Sequence, residues 1–120
     1  MEERRFKESF QDAWAGIRYS IRTQRNMKIH LAAAVLVLLV SYVLGLSRME
    51  FALVLFAITL VLVAEMFNTA VEKTVDLYIK TYHSGARLAK HIAAGAVLVT
   101  AINAVIIGLI VFLPYLRKLL

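Results

Sequence analysis

The stretch Ala64–Asp76, AEMFNTAVEKTVD, decides how this chain is to be read. It emerges from an apolar run, Phe51–Val63 FALVLFAITLVLV, and places a carboxylate, Glu65, where a membrane span ordinarily stays apolar. Glu72 follows, with Asn68 and Thr69 between the two acids and Asp76 beyond. At about 100° per residue these five side chains fall within roughly a 100° arc of one helix. Intramembrane acids are costly and sit against protein or water, so an acidic ladder on one face marks a site. The plainer alternative is that Glu65 pairs with a basic residue to hold two helices together. Such a pair has no need of the accompanying amide and second acid.

Composition agrees with a membrane setting. Of 120 residues 61% are hydrophobic, with one Pro and no Cys, and the mean hydropathy is +0.73. Three spans of about 20 residues each account for that apolar share. The absence of Cys excludes disulfides, thiol chemistry and Cys-based metal sites. A net charge of +6 suits nucleic acid in a soluble domain; in a membrane protein it reflects cytoplasmic loops and anionic lipid, and no nucleic-acid partner is expected. There is no room for a separate soluble catalytic domain, so any chemistry belongs at the membrane surface.

Outward from the ladder, the second span is expected at about 51–71, continuing as helix to Tyr78 or Ile79. The first is expected at about 30–46, ending in the turn GLSRME, and the third at about 92–113, closed by Pro114 and a basic tail. Gly95 and its alanine neighbours leave a low-profile surface for another helix, and Asn103 is expected to make an inter-helix hydrogen bond. Residues 1–27 form a separate segment, with 28–120 the three-span membrane domain. Phe6, Phe10, Trp14, Ile17 and Ile21 recur at helical spacing, opposite Arg4, Arg5, Lys7, Arg18 and Arg22. That pattern suits an amphipathic helix in the headgroup layer, or one packed on the bundle. It lacks the apolar core and cleavage site of a signal peptide.

Seven Lys and Arg precede the first span and four lie between Lys73 and Lys90, against Arg48, Arg117 and Lys118 elsewhere. The excess places the N-terminus and second loop in the cytoplasm and the C-terminus outside. Counted from Phe51 on the outer side, Glu65 then lies roughly 21 Å deep and Glu72 roughly 31 Å, under and at the cytoplasmic interface. Glu72 and Asp76 are hard oxygen ligands of the kind Mg²⁺ prefers together with phosphates. Lys90 and His91 open the third span, where a helix start also favours an anion. No Walker A or Gly-rich kinase loop is present. These residues alone admit a lipid-headgroup enzyme, a small proton-coupled transporter using Glu65, or an assembly subunit.

The blocks Trp14–Arg18 WAGIR, Arg22–His30 RTQRNMKIH, EMFNTAVEKTVD and LAKHIAAGAVL resemble, in order and spacing, the prokaryotic diacylglycerol kinase and undecaprenol kinase family. The signature of that family is E-x-x-N-[ST]-A-[IV]-E-x-x-[VI]-D. RNMKIH, NTAVEKTVDL and AAGAVL are closer to its Gram-positive undecaprenol kinase branch. The resemblance implies an all-α integral membrane protein, with three transmembrane helices and an N-terminal amphipathic surface helix. It further implies a homotrimer in a bacterial cytoplasmic membrane, with active sites between subunits. The implied activity is ATP- and Mg²⁺-dependent phosphorylation of a lipid alcohol, undecaprenol, with diacylglycerol as the alternative substrate.

By the same resemblance Glu65 is the general base, Glu72 and Gln24 hold the metal, and Asn68 and Asp76 support the site. Arg5, Asp12, Gln24, Glu72, Thr81, Tyr82, His83, Lys90 and His91 surround ATP, and Trp14 and Ala94 meet the lipid. Two positions depart from the family pattern. Gln24 stands where a second metal-binding Glu is usual, and His91 where an Asp follows the phosphate-binding Lys. Gln ligates through its carbonyl without charge, so weakened metal affinity is expected.

Overall fold

A computed structural model of the chain describes residues 2–120. Among them are four α-helices and no strand: α1 Glu2–Thr23, α2 Arg25–Leu44, α3 Arg48–Tyr78 and α4 Ser84–Leu119. The last three are long and apolar enough to cross a membrane.

Each boundary has a local cause. Between α1 and α2 only Gln24 leaves the helical conformation, at φ −99° and ψ 116°. The break falls inside the segment 1–27, whose first residue lies outside the described ones. Helix α2 stops because Gly45 takes the left-handed conformation at φ 69°, its N–H reaching the carbonyls of Ser41 and Tyr42. The helix therefore ends ahead of Leu46. Ser47 then starts α3 with a capping box. Its hydroxyl accepts from the Glu50 N–H at 3.2 Å, and Glu50 Oε1 accepts from the Ser47 N–H at 3.0 Å. Beyond Tyr78 the chain leaves the helix at Ile79, and His83 caps α4, its Nδ1 accepting from the N–H groups of Gly85 and Ala86. Helix α4 runs through Pro114 to Leu119, past the end expected from sequence. Proline removes one donor from the ladder without forbidding its own helical φ.

Helix α3 is the centre of the packing. It contacts α4 along much of their length and also meets α2, while α1 touches α2 and α3. Its buried residues, Val54, Ala57, Val61, Glu65, Asn68 and Thr69, follow a helical three-to-four spacing. One continuous stripe thus passes from aliphatic to polar. Near the start of α3, Tyr115 Oη of α4 donates to Glu50 Oε1 at 2.7 Å and pins the two helices together. Elsewhere large apolar side chains face outward: Phe56 on α3, Leu36 and Leu39 on α2, Leu98 and Ile110 on α4. On α1, Phe6, Phe10 and Trp14 are also exposed, so its aromatic stripe is not spent on this chain. Asn103 makes no side-chain hydrogen bond among the described residues, unlike the inter-helix bond expected of it.

Candidate functional site

The polar end of the α3 stripe gathers the predicted residues in two groups. In the first, Glu65 is 3% exposed although it is a carboxylate. Thr69, one turn on, donates from Oγ1 to the Glu65 main-chain carbonyl at 3.0 Å. Asn68 donates from Nδ2 to Glu72 Oε1 at 3.2 Å, the i,i+4 geometry expected of an amide and an acid on one face. That bond leaves Asn68 Oδ1 buried with no donor among the described residues. A buried acceptor without a partner is costly, and this oxygen is free to accept a donor or ligate a cation.

The second group lies where α3 runs out and α4 begins. Lys90 Nζ donates to Asp76 Oδ1 at 2.6 Å. A cleft of about 200 Å³ surrounds the pair, lined by Val75, Asp76, Ile79, Thr81, Tyr82, His83, Ala86, Arg87 and Lys90. The Lys90 hydrogen bond holds the Asp76 carboxyl, which lies past the apolar part of α3, below its ordinary range. Both side chains are substantially solvated, so the clasp is weak and exchangeable. His83 has a second use here: capping α4 commits its Nδ1, leaving Nε2 for anything entering the cleft.

Other expected residues stand apart from these contacts. Gln24 sits at the α1–α2 break and donates from its amide to Thr23 Oγ1 at 3.1 Å. Arg5, Asp12 and Trp14 lie exposed on α1, and His91 and Ala94 lie exposed on α4. Three further residues enter the site without having been singled out for it in the sequence. His30 Nε2 of α2 lies 3.8 Å from Glu65 Oε2. Lys73 sits over the ring of Tyr19, 5.5 Å from its centroid, and ties α1 to α3. Arg87 joins Lys90 in the cleft. A lone His at the mouth of an apolar run was a signal for the first of these. Periodicity carries no signal for a partner on another helix.

Among the described residues no three His, Cys, Asp or Glu side chains gather to hold a metal by themselves. Mg²⁺ does not require that: one or two carboxylates completed by phosphate oxygens suffice. Glu72 and the unpartnered Asn68 Oδ1 beside it fit such a donor set.

Comparison with known proteins identifies the family. Residues 11–112 match the model of the family described as prokaryotic diacylglycerol kinase. The chain is 43% identical over 113 residues to a diacylglycerol kinase of Synechocystis sp., a match covering 93% of this chain and 65% of that protein. It is 44% identical over 113 residues to an undecaprenol kinase of Bacillus subtilis, covering 94% of this chain and 92% of that protein. The chain thus spans just under two thirds of the first relative and nearly all of the second. With its three apolar helices and its acidic α3 ladder, the chain belongs to the prokaryotic diacylglycerol kinase family.

Proposed function

We propose that the protein is a lipid kinase of a bacterial cytoplasmic membrane that transfers the γ-phosphate of ATP to a lipid alcohol, undecaprenol. The observation that carries this reading is the buried Glu65 at the head of a polar stripe that ends beside a cationic cleft. Phosphoryl transfer asks mainly for positioning and charge neutralisation, which a small set of groups can supply. Glu65 takes the proton of the lipid hydroxyl as its oxygen bonds to the γ-phosphorus, and the bond from that phosphorus to the β-bridging oxygen breaks to release ADP. Lys90 and Arg87 meet phosphate, Asp76 holds Lys90 in place until nucleotide arrives, and Tyr82, Thr81 and His83 border the nucleotide. Arg5, Asp12 and His91 complete its surroundings, and Trp14 and Ala94 border the lipid. Glu72, with Asn68 Oδ1 beside it and Gln24 as a neutral second ligand, would hold Mg²⁺, which when bound neutralises phosphate charge.

The N-terminus and the α3–α4 loop face the cytoplasm, as the distribution of Lys and Arg favours, with α1 lying in the headgroup layer. The functional unit is a homotrimer whose sites are completed between subunits. The outward apolar faces of α2 and α4 support that assembly, as does the sparse burial of α4, where only Val111 is buried among the described residues. Undecaprenol is preferred over diacylglycerol on the strength of the Bacillus subtilis relative, which this chain covers almost end to end.

The test is transfer of radiolabelled phosphate from ATP by purified protein, offered undecaprenol and diacylglycerol side by side. Labelled undecaprenyl phosphate is the expected product. Faster labelling of diacylglycerol reverses the substrate assignment, and label on neither lipid overturns the kinase.

A further inference from the structure

Glu65 has a partner that the mechanism above leaves unused. His30 Nε2 lies 3.8 Å from Glu65 Oε2, and the His30 side chain is 28% exposed against 4% for that of Glu65. Thr69 bonds the main-chain oxygen of Glu65 and not its carboxylate. Among the described residues the carboxylate accepts no hydrogen bond, and its only basic partner at ion-pair distance is the imidazole. A carboxylate is roughly two-fold about its last torsion and does not choose an orientation by itself. A base must nevertheless keep one oxygen about 2.6–3.2 Å from the proton it removes, and an error of about 1 Å can cost about a hundred-fold in rate.

We propose that His30 is the positioning residue for Glu65: its Nε2 engages Oε2 and leaves Oε1 directed to the hydroxyl of the lipid alcohol. The proposal rests on the reading of Glu65 as the base. At 3.8 Å the contact is longer than a hydrogen bond, and it closes when substrate fills the site, as catalytic contacts do on moving from the empty to the loaded state. The imidazole comes from α2 and the acid from α3, so the pair also sets the base relative to α2. His30 has a second neighbourhood, an apolar crevice of about 130 Å³ walled by Ala33, Ala34, Val37, Ile58 and Val61. Loss of the ring therefore disturbs packing as well as the polar contact, and the variants must separate the two effects.

The experiment uses the full-length protein in bicelles of defined lipid with His30→Ala, His30→Phe and His30→Gln. Phe keeps the ring volume without a nitrogen, and Gln places an amide nitrogen near the position of Nε2. Expected for Ala and Phe is a fall in kcat of about a hundred-fold, with KM for ATP unchanged within about two-fold, and for Gln a recovery to within about ten-fold of the parent. A packing role gives the reverse order, with Phe near the parent and Gln poor, and that order overturns the proposal. An arm independent of turnover uses ¹⁵N-labelled histidine, of which the chain has three. Glu65→Gln should move the imidazole resonances of His30 and leave those of His83 and His91 in place. A His30 signal that does not move overturns the proposal. A parent protein that phosphorylates no lipid alcohol overturns the kinase reading instead, while the histidine spectra still decide whether the contact exists.

Discussion

Replacing Asp76 with Asn releases the Lys90 ammonium from the hydrogen bond that holds it at 2.6 Å in the cleft. If Lys90 binds phosphate, an incoming nucleotide competes with Asp76 for the same three N–H donors. The strength of that competition follows from exposure. The side chains of Lys90 and Asp76 are 38% and 60% accessible, so water and salt screen the pair. Pairs of this kind change an equilibrium constant by at most about five-fold. Asp76→Asn should therefore tighten ATP binding by about two- to five-fold at roughly 0.1 M salt, and the gain should shrink as salt is raised. The Asp76 carboxyl is held below its ordinary range by Lys90. A depressed carboxyl keeps its contribution above its unfolded value and loses it only as pH falls through the folded one. The difference between parent and variant should thus persist down through the usual carboxylate range and vanish below it. Equilibrium titration with a non-hydrolysable ATP analogue reads the effect, and Lys90→Ala supplies the control background. On that background Asp76→Asn should change nothing, since the two residues act as one unit. Weaker nucleotide binding by Asp76→Asn, or an equal gain without Lys90, would refute the argument.

Three further outcomes are expected. Glu65→Gln should lower phosphoryl transfer by at least about a hundred-fold while fold and ATP binding persist, as circular dichroism and nucleotide titration would show. Mixing Glu65→Gln subunits with Lys90→Ala subunits should restore part of the activity if base and phosphate ligand meet across an interface; fully active monomers in sedimentation and assay would contradict it. Gln24→Glu should lower the Mg²⁺ concentration for half-maximal activity by about ten- to a hundred-fold, and Glu72→Gln should raise it further in the other direction. Superimposed Mg²⁺ curves for parent and Gln24→Glu would place Gln24 away from the metal.

The course of α3 is legible in its residues because the ladder from Glu65 to Asp76 keeps the helical period that the aliphatic run sets. The polarity changes while the spacing does not, and the helix ends at Tyr78, where the ladder has run out. The start of α4 is not legible in the same way. Hydropathy rises only near Ile92, whereas the helix begins at Ser84 on a cap made by a histidine nitrogen, a donor–acceptor match that hydrophobic patterning does not register. Pro114 reads as a stop and is instead accommodated, since helix-breaking by proline depends on what the neighbouring turns can tolerate. Within the site, the pairing of Asn68 with Glu72 follows from spacing on one helix. The meeting of His30 with Glu65 does not, because periodicity assigns a face and leaves open which helix that face will meet. Arg87 is visible in the sequence only as one more loop charge, and its place in the cleft comes from the cap that turns α4 back toward α3.

Helix α3 has 31 residues, roughly 46 Å at 1.5 Å per residue, whereas the hydrocarbon layer is only about 30 Å thick. Its N-terminal end is closed by the Ser47 cap and clasped to α4 by Tyr115; with that end held at one face of the bilayer, the surplus would emerge at the other, the end that carries the acids. The helix is therefore a ruler. On that placement it sets the height at which Glu65 and Glu72 stand against the boundary between acyl chains and headgroups. A thicker bilayer draws Glu72 toward hydrocarbon, and a thinner one lifts Glu65 out of it, unless the helix tilts to compensate. On the proposed roles of Glu65 and Glu72, acyl-chain length of the host membrane would then be a control on turnover, exerted without any lipid binding to a dedicated site.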